Sequence, residues 1–172
     1  MKKVALILAM DLKRGIGKGN KLPWRLKKEM KHFVDITLSV TKKGKQNAVL
    51  MGRKTWESIP EKFRPLKGRL NLVLTTNTGY KTDGAIVISS FEEAFENLGK
   101  EIETLFIIGG ASLYEQALEK GIVDEIYLTQ IHKEFGCDTF FSKIPLEFTE
   151  KESLSKDEED DVEFEFFKIS KK

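Results

Sequence analysis

The sequence predicts an α/β fold, a mainly parallel sheet with helices packed on its faces, and three observations predict it. Continuous apolar runs recur along most of the chain, amphipathic segments lie between several of them, and glycine-rich turns follow runs where a strand would hand over to a helix. Unbroken apolarity, rather than alternation, belongs to strands buried on both faces, as in a parallel sheet covered by helices.

Residues 4–10, reading VALILAM, form the first such run, and residues 48–51, 70–74, 85–88, 105–108 and 126–129 repeat it. Helical periodicity occupies residues 26–38. A second helix is expected to open at Gly52 and a third at Ser90, where Ser90 and Glu93 make a capping-box pattern. A fourth is expected after Gly109 and Gly110, stopping at Gly121. Residues 148–154 and 163–169 are strand-like again and read as an antiparallel hairpin at one edge of the sheet. Residues 1–172 are thus expected to form a single domain with a mixed, mostly parallel sheet of about eight strands and about four flanking helices.

Charge narrows the function classes. Lys plus Arg total 29 against 27 Asp plus Glu, a net charge of +2, with both signs interspersed, which gives no electrostatic footprint for nucleic acid. One Cys and two His supply neither an internal disulfide nor a zinc cluster, so no metal is expected. The run at 4–10 is too short to span a bilayer and no small-residue cleavage site follows it, so a cytoplasmic protein without a membrane partner is expected. The acidic run 157–161 reads as a solvated turn with no function.

On the 26–38 helix, at about 100° per residue, Leu26, Met30, Phe33, Val34 and Thr37 fall on one side. Lys27, Lys28, Lys31, His32 and Asp35 fall on the other, where His32 reads as a surface residue among lysines. Glu29 breaks the pattern by projecting at the flank of the apolar stripe. It is either an edge glutamate reaching solvent or a carboxyl held in a cleft, where apolar walls raise its pKa.

Gly15, Gly17 and Gly19 after the first strand mimic a dinucleotide fingerprint, but the third spacing is wrong and Leu22, Pro23 and Trp24 prevent a helix from starting there. A P-loop motif is absent from the sequence. What remains is a flexible glycine-rich loop ending in a rigid Pro-Trp pair, a candidate lid over a site at the strand ends. Gly52, Arg53, Lys54 and Thr55 place two cations and a hydroxyl at a helix start, and Gly109, Gly110, Ala111 and Ser112 repeat the theme. Each is either a tight strand-to-helix turn or a phosphate site; two in one parallel sheet suit a cofactor with more than one phosphate. Five of the 29 basic residues are Arg, and Arg53, Arg64 and Arg69 share one short window, fitting planar recognition of carboxylate or phosphate.

The ordered set of Gly15 to Gly17, Leu22, Pro23, Trp24, Glu29, Phe33, the run 51–59 (MGRKTWESI), the run 64–69 (RPLKGR), Ile108 to Gly110, Tyr114, Asp138 and Thr139 resembles dihydrofolate reductase from about residue 4 to residue 141. The resemblance implies NADPH-dependent reduction of 7,8-dihydrofolate to 5,6,7,8-tetrahydrofolate, with hydride to C6 and a proton to N5, supplying one-carbon metabolism. It implies that Glu29 is the ionisable group of the pterin pocket, held by Thr129, with Leu22 and Trp24 shielding the reaction from water. By the same resemblance Ile7 and Ile108 offer carbonyls to the pterin, Met30, Phe33 and Ile59 wall the substrate, and Arg69 pairs with the α-carboxylate of its glutamate tail.

For the cofactor, the resemblance implies Ala9, Ile16, Gly17 and Asn20 at the nicotinamide, and Gly52, Arg53, Lys54 and Thr55 at the 2′-phosphate and pyrophosphate side. Thr75 and Thr76 are implied at the adenosine end, and Gly109, Gly110, Ala111, Ser112, Leu113 and Tyr114 at the pyrophosphate and nicotinamide ribose. Antifolate inhibitors are implied as further ligands, and a monomer is expected. The chain departs from family members at Phe63, which stands where some carry an amide, and at Thr76, where vertebrate members carry an arginine. A pyrimidine reductase of riboflavin synthesis shares the implied fold and cofactor, but Glu29 with Arg69 better suits an aminopterin bearing a carboxylate tail. A non-catalytic folate-binding module and one half of a bifunctional reductase–thymidylate synthase are the other readings.

Overall fold

A computed structural model describes residues 2–172. Its strands are β1 (Lys3–Met10), β2 (Gly15–Gly17), β3 (Gln46–Gly52), β4 (Arg69–Leu74), β5 (Ile86–Ile88), β6 (Ile102–Gly109), β7 (Glu125–Ile131), β8 (Thr139–Phe140), β9 (Glu150–Glu159) and β10 (Val162–Ser170). The helices are α1 (Lys27–Leu38), α2 (Arg53–Ser58), α3 (Phe91–Glu96) and α4 (Ala111–Glu119). Eight strands form one sheet in the order β5-β4-β3-β6-β1-β7-β10-β9, while β2 and β8 pair separately. The neighbours from β5 through to β7 are parallel, and β10 runs antiparallel to both β7 and β9.

The apolar runs earn their continuity by burial on both faces. Along β1, Val4, Leu6, Leu8 and Met10 enter one core with Phe91 and Ala94 of α3 and Leu113, Tyr114 and Ala117 of α4. Ala5 and Ile7 enter the opposite core with Trp56 of α2, Phe33 and Ile36 of α1, and Ile59. Successive residues point to opposite faces, so a strand covered twice has no room for a polar alternate. Ser90 caps α3 by accepting from Glu93 N at 3.1 Å, while the Glu93 carboxylate reaches Ser89 rather than closing the box on Ser90 itself. Gly121 ends α4 at φ +66°, the left-handed conformation that glycine adopts without a Cβ penalty.

Two expectations are corrected. The acidic run is not a solvated turn: residues 157–159 lie inside β9, and the turn is only Asp160 and Asp161, both left-handed at φ 51° and 61°. The alternation of Val162, Phe164 and Phe166 into a third core, with Trp24, Leu26 and Ile131, fixes the β10 register and draws β9 alongside. Exposed and charged, β9 shows no periodicity of its own, which suits an edge strand. The glycine-rich loop, expected to be flexible, is tied down at its start by the β2–β8 pairing, Gly15 opposite Phe140 and Gly17 opposite Thr139.

Candidate active site

The carboxyl ends of the parallel strands β3, β6, β1 and β7 lie side by side along one edge of the sheet, with β1 flanked by β6 on one side and β7 on the other. Open parallel sheets bind ligands in the crevice outside such strand ends. Glu29, in the first turn of α1, is buried there at 8% exposure and accepts from the Thr129 hydroxyl of β7 at 3.3 Å. Thr129 stands opposite Ala9 of β1 and Phe166 of β10, so the register of two strand pairs sets its position. Burial pushes the Glu29 carboxyl up to about 7, while the Thr129 hydroxyl opposes that shift by favouring the ionised form. Of the two sequence readings of Glu29, the cleft is the one the structure adopts.

Trp24 is buried edge-to-face on Phe135 with ring centroids 5.3 Å apart. Its Nε1 is the one buried side-chain polar atom among the described residues with no hydrogen-bond partner. A buried indole N–H costs free energy unless it finds an acceptor, so this donor calls for a polar partner. Tyr114 donates to the Ile7 carbonyl at 2.9 Å.

The substrate-side residues converge only in part. Ile7, Phe33, Ile59 and Ile108 share one apolar cluster, whereas Met30 is 48% exposed and Leu22 50% exposed at the rim. Arg69 is half-buried, donates to the Thr37 hydroxyl at 2.8 Å and to the Lys67 carbonyl at 3.1 Å, and pairs with no carboxylate among the described residues. The arginine cluster does not act as a unit. Arg64 lies over the Trp56 ring, 5.3 Å from its centroid, and Arg53 pairs with Glu57 at 3.2 Å.

On the cofactor side, a Cβ added to Gly52 would sit 3.9 Å from both Gly109 O and Gly110 N, and one added to Gly109, at φ +142°, would press on Thr55 Oγ1 at 3.2 Å. The two glycine turns therefore face each other as a cradle with a bare backbone. The Ala111 and Ser112 amides open α4 above it. Leu113 has its side chain in the core and its amide bonded to Gly110 O. Asn20 Nδ2 donates to the Lys54 carbonyl at 3.2 Å, joining the loop to α2. Lys54 and Thr76 are exposed, and Thr75 Oγ1 accepts from Asn77 N at 3.1 Å.

The comparisons decide the family. A dihydrofolate reductase family profile matches residues 3–171. The chain is 44% identical over 182 residues to a putative dihydrofolate reductase of Caenorhabditis elegans, covering 98% of this chain and 96% of that protein. The chain belongs to the dihydrofolate reductase family. It is 45% identical over 148 residues to the dihydrofolate reductase of Heliothis virescens, covering 83% of this chain and 80% of that one. It is 42% identical over 147 residues to the bifunctional dihydrofolate reductase-thymidylate synthase 2 of Arabidopsis thaliana, of which it spans 26%.

Dihydrofolate reductases work with a nicotinamide cofactor, and the cradle fits one: bare glycines at two strand ends admit a phosphate-bearing backbone that a Cβ would exclude. Among the described residues, no group of three or more His, Cys, Asp or Glu is placed to hold a metal ion, and no helix is long and apolar enough to cross a membrane.

Sequence reasoning missed Asp11. It is 1% exposed, and its Oδ1 accepts from Lys13 N at 2.9 Å and Gly15 N at 2.7 Å. Its Oδ2 accepts from Phe135 N at 3.1 Å, with Cys137 Sγ at 3.5 Å. One carboxylate thus joins the loop after β1 to the loop after β7. An acid directly after an apolar strand and before a glycine turn was the available signal. Gly15 is fixed by the same contact, since a Cβ there would fall 2.5 Å from Cys137 Sγ.

Proposed function

We propose that this chain reduces 7,8-dihydrofolate to 5,6,7,8-tetrahydrofolate, using NADPH, and that Glu29 manages the proton of that reaction. The observation that carries the reading is the buried Glu29 carboxyl against Thr129 at the strand ends, held near a pKa of about 7 by burial. When bound, the reduced nicotinamide supplies the hydride. Ala9, Ile16, Gly17 and Asn20 line its ring, and Gly52, Thr55, Gly109, Gly110, Ala111 and Ser112 take the pyrophosphate side. Thr75 and Thr76 meet the adenosine end. Arg53 and Lys54 favour the extra phosphate dianion of NADPH over the ribose hydroxyl of NADH.

Toward the substrate, Glu29 binds the 2-amino group and N3 of the pterin and promotes protonation at N5 through ordered water, the direct reach being too long. Ile7 and Ile108 present carbonyls to the pterin amino group, while Phe33, Ile59 and Met30 wall the ring system. Arg69 receives the α-carboxylate of the glutamate tail, an assignment supported by its half-buried guanidinium with no acidic partner among the described residues. Leu22 and Trp24 exclude bulk water. The same reading takes residues 1–172 as one reductase domain, monomeric and cytoplasmic.

The test is NADPH oxidation followed by near-ultraviolet absorbance with dihydrofolate, with methotrexate as control. Methotrexate-sensitive turnover supports the reading. Tight methotrexate binding without turnover would move the function to folate binding, and neither would reject the substrate.

A further inference from the structure

The helix that carries Glu29 has no cap of its own. Its N-cap residue is Leu26, whose side chain accepts no hydrogen bond, so the amides of the first turn need a partner from elsewhere. Glu159, the last residue of β9, supplies it: Oε2 accepts from Lys27 N at 2.8 Å and Oε1 from Lys28 N at 2.9 Å. Lys28 returns the contact, its ammonium donating to Asp157 Oδ1 at 2.8 Å and to the Glu158 carbonyl at 3.1 Å. Each of these four bonds has a charged partner, and a carboxylate at the first amides also complements the positive end of the helix dipole.

The cap is rigidly aimed. Glu159 is paired opposite Val162 across a two-residue turn, Asp160 and Asp161, whose left-handed conformations match the twist of the flanking strands. Val162, Phe164 and Phe166 bury the hairpin in the core that also holds Trp24 and Leu26. One turn further along α1, the His32 ring stacks on Phe166 at 3.8 Å and 20°. That stacking corrects the surface reading of His32. The hairpin therefore grips α1 at Lys27, Lys28 and His32, and Glu29 lies between those grips.

We propose that Glu159 is a positioning residue for the reaction: by capping α1 from the hairpin tip it holds the Glu29 carboxyl in register with Thr129. The proposal rests on the reading of Glu29 given above, and gives the acidic run a role in the chemistry rather than in solvation alone.

The experiment is a double-mutant cycle on the full chain, read as the single-turnover rate of NADPH oxidation so that product release does not mask the effect. Glu159→Ala is expected to slow that rate about tenfold, on the scale of a lost helix cap, with the Kd for NADPH unchanged. Glu159→Gln, which keeps one acceptor oxygen, is expected to fall between the two, and it carries the test if Glu159→Ala melts below the assay temperature. In a Glu29→Gln background, Glu159→Ala is expected to add no further loss, which a purely structural cap would not produce. An unchanged rate in both Glu159 variants, or the same fold-loss with and without the Glu29 carboxyl, overturns the proposal alone. Full turnover by Glu29→Gln overturns the reading of Glu29 and this proposal with it.

Discussion

The Tyr114 hydroxyl of α4 donates to the Ile7 carbonyl of β1 at 2.9 Å, deep in the wall between the large core and the crevice. Burial drives this phenol well above the ordinary tyrosine range, and the nearby charge of Glu29 adds to the shift. Tyr114 therefore stays protonated at every working pH and holds the β1 carbonyl still. Glu29, at about 7, is left as the crevice group between them that changes charge near neutrality.

The pH dependence of turnover follows from that pairing. Protonation of the substrate is favoured while Glu29 holds its proton, so the chemical rate is expected to be highest below pH 7 and to decline as pH rises through about 7, tenfold per unit well above it. A pH series of single-turnover rates checks this; a flat profile from pH 6 to roughly 9 would remove Glu29 from the proton path.

Glu29→Gln should separate activity from stability. The rate is expected to drop by about 10² or more at pH 7, with NADPH affinity retained. Stability should move the other way. The folded carboxyl has a pKa near 7 against an ordinary value of 4.5, so the native state binds the proton more tightly than the unfolded chain. Its stability falls as pH rises from about 4.5 to about 7, and the cost of the buried charge above that window is about 3 kcal/mol. The amide carries no such cost, so Glu29→Gln is expected to raise Tm by roughly 6–12 °C at pH 8 and to change it little at pH 5. Melting curves at the two pH values check it.

The same buried carboxyl shows what a sequence reveals and what it hides. The central parallel strands were legible because burial on both faces leaves an unbroken apolar run, as along β1 with its two cores, while the edge strand β5 was legible from its β-branched run alone, since Ile86 is exposed. Glu29 was legible as a break in helical periodicity, and the glycine turns at Gly52 and Gly109 as departures from ordinary strand ends. Asp11 and Glu159 were not, because each works through backbone amides that any residue carries. Glu159 serves Lys27 and Lys28 from the far end of the chain, and Asp11 serves Phe135 across the loops after β1 and β7. The edge strand β9 was half-hidden for a related reason, since its register is dictated by the buried residues of β10 rather than by its own pattern.

Arg69→Lys tests the substrate tail. A lysine keeps the charge but loses the planar fork, and it cannot keep the Thr37 contact while presenting two parallel N–H groups to a carboxylate. KM for dihydrofolate is expected to rise about tenfold or more, with a smaller effect on kcat, as when binding common to ground and transition states is removed. A defect confined to kcat would contradict that role.

Asp11→Asn tests whether the loop after β1 is held by one carboxylate. Burial alone would raise the Asp11 pKa, but the Phe135, Gly15 and Lys13 amides and the Cys137 thiol outweigh it and hold the carboxyl below its ordinary value. Its contribution to stability is therefore present above pH 4 and is lost as pH falls through the lowered folded pKa. An asparagine can accept from one pair of amides only, and its own NH₂ then faces the remaining donors, leaving a buried N–H unpaired at a cost of about 1–3 kcal/mol. The loss falls on a seam, since Asp11 joins the loop bearing Gly15 to the loop bearing Phe135, against which Trp24 packs at 5.3 Å. Amide exchange in residues 12–21 and 133–139 is expected to accelerate well before the sheet is affected, with Tm lowered by about 2–4 °C per kcal/mol lost. Uniform acceleration across the sheet would mean that Asp11 supports the whole fold, and no acceleration in either loop would mean that the β2–β8 pairing holds the loop without it.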